Sequence, residues 1–292
     1  GIENSRNLMT IRIAQYLGME KVAEIANRTG VMENMPNVLS MALGAGETSL
    51  IDLTAAYASF VNGGKKVEPS LIDRIQDRRG KNIFLENFAT CTNCDEPYIE
   101  ENPMPKLVNS SESIFDEAKS YQMVSILKGA VDRGTGRKTK IDGIEIAGKT
   151  GTTNNNTDAW FIGFTSDLII GVYAGFDKPK SLGKRETGSS VAVPIFRDFV
   201  KNYYQEKPIL PFTIPNGIEL IKINYDTGEI ASNFNSSESV YEAFSKSDNL
   251  VSSGKILVGS EGFQIIEVAD EVMEEYVICL LYTSPSPRDG DE

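Results

Sequence analysis

The chain has 292 residues, 40% hydrophobic and 24% charged, which suits a globular protein with one large domain and a smaller piece. Its net charge of −12 argues against nucleic acid and an anionic membrane surface as partners, and is read as simple solubility. The chain has no histidine, which excludes a Ser-His-Asp triad and any histidine-ligated metal, so a catalytic base must be Lys, Asp or Glu.

Ser5-Arg6-Asn7 precedes a stretch, Leu8 to Arg28, whose apolar residues recur at helical spacing and predict two helical pieces, with breaks at Gly18 and Gly30. Val38 to Leu43 is apolar and small and leads into Gly44-Ala45-Gly46. Thr48 or Ser49 is placed to cap a helix over Leu50 to Val61. Residues 67–77 and 82–86 flank Arg78-Arg79-Gly80-Lys81 as a hairpin, and Phe88 to Ser113, polar and proline-bearing, reads as an exposed loop or insertion. Phe115 to Val131 is the longest clear helical pattern, ended by Gly134-Thr135-Gly136. Ala192 to Tyr204 returns to helix, with Pro194 in its first turn. Prolines after 205 mark a boundary. Ile218 to Asn224 with Gly228 to Ile230 reads as a hairpin, and 232–253 is low enough in apolar residues to suggest disorder. Residues 277–292 shift abruptly in composition and resemble translated non-native sequence, so they are set apart from fold reasoning. No apolar run approaches the length of a membrane span.

The chemistry concentrates at Lys149-Thr150-Gly151-Thr152-Thr153. Ile144, Ile146 and Gly148 alternate ahead of it, as in a strand, and the apolar runs 159–164 and 168–176 behind it read as a hairpin. Lys149 is therefore expected on, or at the end of, a strand edging an antiparallel sheet. A lysine and hydroxyls on both sides of a glycine suit an anionic group. Gly143 to Thr150 also spells a P-loop, G-x-x-x-x-G-K-[ST]. Its loop positions are Ile144, Glu145, Ile146 and Ala147, which prefer extended strand, and Gly151 to Thr157 is a poor helix start, so that reading is disfavoured. The bland alternative is an ordinary exposed lysine on a strand.

Taken in order, Ser5-Arg6-Asn7, Leu43 to Leu53, Ala55 to Gly64, Arg133-Gly134-Thr135-Gly136-Arg137, Gly148 to Thr153 and Asp158-Ala159-Trp160-Phe161-Ile162-Gly163 closely resemble the transpeptidase domain of class A penicillin-binding proteins. The resemblance covers about residues 2 to 204. It implies an α+β fold of the penicillin-binding transpeptidase and serine β-lactamase type, an antiparallel sheet, five-stranded in the family, with helices on both sides. It divides the chain into a partial transpeptidase domain over 1–204, truncated at its N-terminus, a C-terminal extension over 205–276 and the suspect tail.

The resemblance also implies roles. Lys149 supplies a cation that lowers the pKa of the family's nucleophile-activating lysine. Ser5 relays a proton to the leaving amine, and Asn7 hydrogen-bonds the substrate amide. Thr150 and Thr152, around Gly151, hold the carboxylate of a D-Ala-D-Ala stem peptide or a β-lactam. The Thr152 N–H forms half of an oxyanion hole. No cofactor is implied. The implied setting is the periplasmic face of a bacterial inner membrane, with an anchor and a glycosyltransferase domain outside this chain. In that oxidising setting Cys91 and Cys94 read as a local disulfide ahead of free thiols, and those ahead of metal ligands.

One departure from the family is large. Only four residues precede Ser5, so no S-x-x-K lies ahead of it. The S-x-x-K strings at 125–128, 181–184 and 252–255 all follow S-x-N, the wrong order. The chain as given is therefore expected to be inactive. The alternative from another class is a non-catalytic interaction module of the same fold.

Overall fold

The computed structural model describes residues 1–86, 111–225, 227–228, 230 and 239–246, together with the strand backbones 89–92, 106–109, 254–259 and 262–267. The helical spacing after Ser5 produces α1 (Asn7–Leu17) and α2 (Met19–Arg28), parted at Gly18. A 3-10 turn follows over Leu39–Leu43. Helix α3 (Leu50–Val61) starts where its cap is. Ser49 Oγ accepts from the Asp52 N–H at 3.1 Å and so satisfies one of the four amides a helix start leaves orphaned. Thr48, the other candidate, turns its hydroxyl to the Val31 carbonyl instead.

Strands β1 (Arg74–Gln76) and β2 (Asn82–Leu85) form the expected hairpin, with a register shift at Ile75/Gln76. The stretch 88–113 corrects the loop reading. It contains β3 (Ala89–Thr92) and β4 (Lys106–Asn109), paired antiparallel with Cys91 opposite Leu107. Threonine, valine and leucine there pair once a partner strand is supplied, whatever the polar residues around them suggest. Cys94 and the disulfide question lie outside the described residues.

Helix α4 (Glu117–Asp132) is capped by Asp116, whose Oδ1 accepts from the amides of Ala118 and Lys119. Then come β5 (Ala147–Thr152), β6 (Asp158–Phe164) and β7 (Ile169–Gly175), antiparallel in the order β5-β6-β7. This sheet has three strands among the described residues, against the five the resemblance implies. β5 is an edge, as expected for the strand that carries Lys149.

The sheet is covered on both faces. One face packs Ala147 and Phe164 against Val124 and Leu127 of α4, with Tyr57 and Phe60 of α3. The other packs Phe161 and Val172 against helix α5 (Val193–Tyr203), chiefly Val193, Phe196 and Val200. Phe161 and Phe196 meet edge to face at 4.9 Å between ring centroids. A one-turn π-helix over Gly188–Ala192 leads into α5, and a Thr187–Ser190 capping box closes its start. At the far end, Tyr204 Oη meets Thr165 Oγ1 at 2.7 Å and donates to Asp167. Burial first, and then the Asp167 carboxylate, push this phenol up to about 12.

Strand β8 (Ile218–Asn224) pairs with β9 (Ser239–Ser245), not with Gly228 to Ile230, which contributes a single bridge to Ile223. Residues 239–245 lie inside the stretch read as disordered. Tertiary contacts override that composition: Ala243 and Ile218 bury against Ala118, and Gln122 Nε2 donates to the Ala243 carbonyl. The chain divides into two compact units, Gly1–Ile221 with Glu242–Ser247, and Lys222–Tyr241 with Asp248–Glu292. In the second, β10 (Gly254–Gly259) and β11 (Gly262–Glu267) form an antiparallel hairpin. The suspect tail lies outside the described residues. Among the described residues no helix is long and apolar enough to cross a membrane, and no cluster of carboxylates and thiols is grouped to hold a metal.

Candidate active site

The site forms where the start of the chain meets the exposed edge of β5. Residues 1–6 make a tight turn, with the Arg6 N–H on the Gly1 carbonyl at 2.9 Å and the Ser5 N–H on Ile2 O at 3.1 Å. Ser5 sits at φ 52°, in the left-handed region that a residue with a Cβ enters at a cost of about 1–2 kcal/mol. Such strain persists only where neighbouring structure enforces it. Here the result is that Ser5 Oγ accepts a hydrogen bond from Lys149 Nζ, across 144 residues of chain. Asn7 opens α1 two residues later and is exposed.

Lys149 Nζ also donates to the Thr150 carbonyl at 2.9 Å. That carbonyl is free for a reason set by the strand pairing. The Thr153 N–H bonds to Asp158 O, so 153 and 158 are a hydrogen-bonded pair. Antiparallel ladders alternate, so 151/160 and 149/162 are hydrogen-bonded pairs as well. Thr150 and Thr152 therefore turn their N–H and C=O groups to the open edge. Burial pushes the Lys149 ammonium below the ordinary lysine value. The edge thus presents a partly desolvated cation, two outward amides and two threonine hydroxyls.

Those hydroxyls have partners that sequence reasoning did not assign. Thr150 Oγ1 lies 2.8 Å from Thr135 Oγ1. Thr152 Oγ1 accepts from the Gly188 N–H at 3.0 Å. Thr135 belongs to the Arg133–Arg137 motif that helped carry the resemblance, but the motif's letters do not say what it touches. Gly188 lies in a polar stretch with no signal of its own.

The P-loop reading is overturned. β5 runs on through Thr152 and is followed by a 3-10 turn over Asn154–Asn156 and another strand, so no helix follows Lys149 to point its N-terminus at phosphate. The serine and lysine of the Ser125-x-x-Lys128 string are also engaged apart. Lys128 Nζ is 2.5 Å from Glu145 Oε1, while Ser125 Oγ reaches Glu242 Oε2 at 3.5 Å.

Residues 1–201 match the family described as Penicillin binding protein transpeptidase domain, and the chain belongs to that family. Within it the similarity is to penicillin-binding protein 1A. The protein of that name from Rickettsia conorii is 45% identical over 236 residues, covering 79% of this chain and 29% of its own length. The one from Pseudomonas aeruginosa is 31% identical over 258 residues, covering 78% and 31%. The crystal structure of penicillin-binding protein 1A from Haemophilus influenzae superposes with a TM-score of 0.69 at 28% identity, covering 83% of this chain and 39% of that one. The chain spans between 29% and 35% of the length of the Rickettsia relatives it matches.

Proposed function

We propose that this chain is the later part of a serine DD-transpeptidase domain, which cross-links peptidoglycan stem peptides through an acyl-enzyme and is acylated by β-lactams. The observation that carries the reading is the Lys149–Ser5 hydrogen bond, which joins S-x-N to K-T-G. A serine flanked by an ammonium can serve as a proton relay, because the cation lowers the cost of passing on the hydroxyl proton, which is replaced from the other side. Lys149 is the electrostatic element and Ser5 the carrier to the leaving amine. Asn7, exposed beside them, takes the substrate amide.

Thr150, Gly151 and Thr152 take the terminal carboxylate. Thr152 Oγ1 already accepts from Gly188, so its own proton is available to an anion. The Thr152 N–H turns to the open edge, where an oxyanion would form, and such a donor is worth about 3–4 kcal/mol of barrier. The acylated serine and its lysine belong to a segment ahead of Ser5 that this chain does not contain. Residues 1–204 are the partial domain and 205–276 its extension. An anchor and a glycosyltransferase domain in the parent protein, at the periplasmic face of the inner membrane, complete the reading.

The test is covalent labelling with fluorescent penicillin. The full-length protein is expected to label at a serine ahead of Ser5, and Lys149→Ala and Ser5→Ala to slow that labelling. The 292-residue chain is expected to stay unlabelled. A labelled band from the chain itself would sink the claim that it is inactive. An unlabelled full-length protein would favour a non-catalytic module.

A further inference from the structure

We propose that Arg133, Gly134 and Thr135 form a positioning clamp that sets the Ser5 turn against the Lys149 strand, and that Glu242 of β9 is its far anchor. This rests on the reading of Ser5 and Lys149 as the proton-relay pair. Three successive residues at the end of α4 each touch a different part of that pair's surroundings. The Arg133 guanidinium grips Glu3 bidentately, with Nε 3.1 Å from Oε2 and Nη2 2.5 Å from Oε1. The same Nη2 lies 2.5 Å from Glu242 Oε1. Arginine suits this task because its planar fork holds one carboxylate at two points while still serving another.

Gly134 lets the Ser5 turn come close. A Cβ there would collide with the Glu3 carbonyl and meet the Ala130 Cα at 3.0 Å, so the Glu3 backbone rests directly on the α4 terminus. Thr135 then joins the two sides through one residue. Its N–H donates to the Glu3 carbonyl at 3.1 Å, and its hydroxyl lies 2.8 Å from that of Thr150, next to Lys149. Glu3 is fixed by backbone and side chain together, two residues before the strained Ser5. A turn held that firmly can keep a serine in the left-handed region and over the ammonium. Ser5, Arg6 and Asn7 are all exposed, so they do not supply that hold by burial.

Glu242 extends the clamp to the C-terminal side of the domain. It is partly buried, and Ser125 Oγ lies 3.5 Å from it. It shares that one guanidinium with Glu3, and burial, which the Arg133 charge only partly offsets, raises its carboxyl above the ordinary carboxylate value. β9 thereby has a site-directed task, although nothing in residues 239–245 spells a motif.

These residues position and do not meet substrate, so the test must read the relay pair rather than stability. The readout is the titration of Lys149 in the whole chain, followed by NMR of 13Cε-labelled lysine and assigned with Lys149→Arg. Thermal unfolding and circular dichroism certify the fold of each variant. In the unaltered chain Lys149 is expected to titrate below the other lysines. Glu3→Ala and Arg133→Met free the Ser5 turn and admit water, so the Lys149 midpoint should move up toward the ordinary lysine value. Arg133→Lys, which keeps the charge but lacks the planar fork that holds Glu3 at two points, should recover part of that movement. Thr135→Ser should stay near the unaltered value, and Thr135→Val should move up.

Removing Arg133 leaves two carboxylates without their guanidinium, and that variant is the one at risk of not folding. Glu3→Ala and Thr135→Val then decide. An unmoved Lys149 midpoint in these folded variants overturns the clamp. None of these readings needs turnover, so a full-length protein that failed to label with penicillin would defeat the transpeptidase reading while leaving the clamp measurable.

Discussion

The backbone N–H of Gly188 donates to Thr152 Oγ1 at 3.0 Å, which ties the π-turn before α5 to the last residue of the K-T-G strand. The approach is close enough to exclude a side chain. A Cβ on Gly188 would run into the carbonyls of Trp160 and Gly151. The contact therefore depends on glycine for space, at a φ that does not itself demand it.

Gly188→Ala is expected to force the π-turn away from β5. Overpacking of this kind costs about 1–3 kcal/mol. The loss should appear as a lower thermal midpoint, and in the full-length protein as slower acylation by penicillin, because Thr152 would lose the donor that directs its hydroxyl. An unchanged midpoint would mean that the two segments separate without strain.

How much of this was legible differs from element to element. The K-T-G strand, the following hairpin and α1 to α4 follow from periodicity and caps. The cap site at Thr48 or Ser49 and the breaks at Gly18 and Gly30 could be named from local chemistry, since a cap depends on neighbours three residues away, although the choice of Ser49 needed the structure. β9 could not. Its partners are Gln122 and Arg133, more than a hundred residues earlier, and no local pattern in 239–245 points to them. That Ser5 and Lys149 belong together was legible by the letters of the family motifs, and the two do meet. What holds them together was not. Thr135 acts through one amide and one hydroxyl, and Gly188 through one amide and an absent Cβ, features that carry no periodicity.

Burial of Lys149 makes a prediction about pH. Its folded pKa is depressed, so between that value and the unfolded value of about 10.4 the unfolded chain binds more protons. Folding stability from this group therefore rises with pH through that window, and below it the cost of burying the charge is fully present. Other lysines and tyrosines titrate nearby, so the comparison should be made against Lys149→Met. Urea unfolding at pH 7 and pH 10 should show Lys149→Met ahead of the unaltered chain by a larger margin at pH 7 than at pH 10. A margin that grows toward pH 10 would contradict the burial.

Asp116→Ala removes the acceptor for two amides at the start of α4. The expected cost is about 1 kcal/mol, within the 0.5–2 range for such caps. Asn at this position should recover most of it. Chemical denaturation checks the size, and hydrogen exchange at Ala118 and Lys119 checks the place. Because Arg133 and Thr135 follow the opposite end of α4, fraying at its start is expected to leave the Lys149 titration unmoved, which separates a stability effect from a site effect.

Phe196→Ala empties the space against Phe161 between α5 and the sheet. Both rings are fully buried, so the loss should reach about 3–5 kcal/mol, a sizeable share of a domain's total stability. Leu should be tolerated better than Ala, because part of the volume returns. The measurement is the urea midpoint at unchanged slope. A loss under 1 kcal/mol would mean that α5 collapses onto the sheet without a cavity.

Ser125-x-x-Lys128 spells the family's nucleophile motif, and its geometry argues that the spelling is accidental. In the acyl-enzyme chemistry the lysine must reach the serine hydroxyl to take its proton. Here Lys128 is instead engaged by Glu145, 2.5 Å away, and Glu145 in turn accepts the Phe212 amide at 2.9 Å. Burial opposes the charge on Glu145, but these hydrogen bonds outweigh it and hold the carboxyl below its ordinary value. The pair is half-exposed, so Lys128→Ala should cost no more than about 1 kcal/mol. Ser125→Ala should leave penicillin labelling of the full-length protein at its original rate. A rate lost on Ser125→Ala, with the protein still folded, would move the nucleophile to α4 and make this chain catalytically complete.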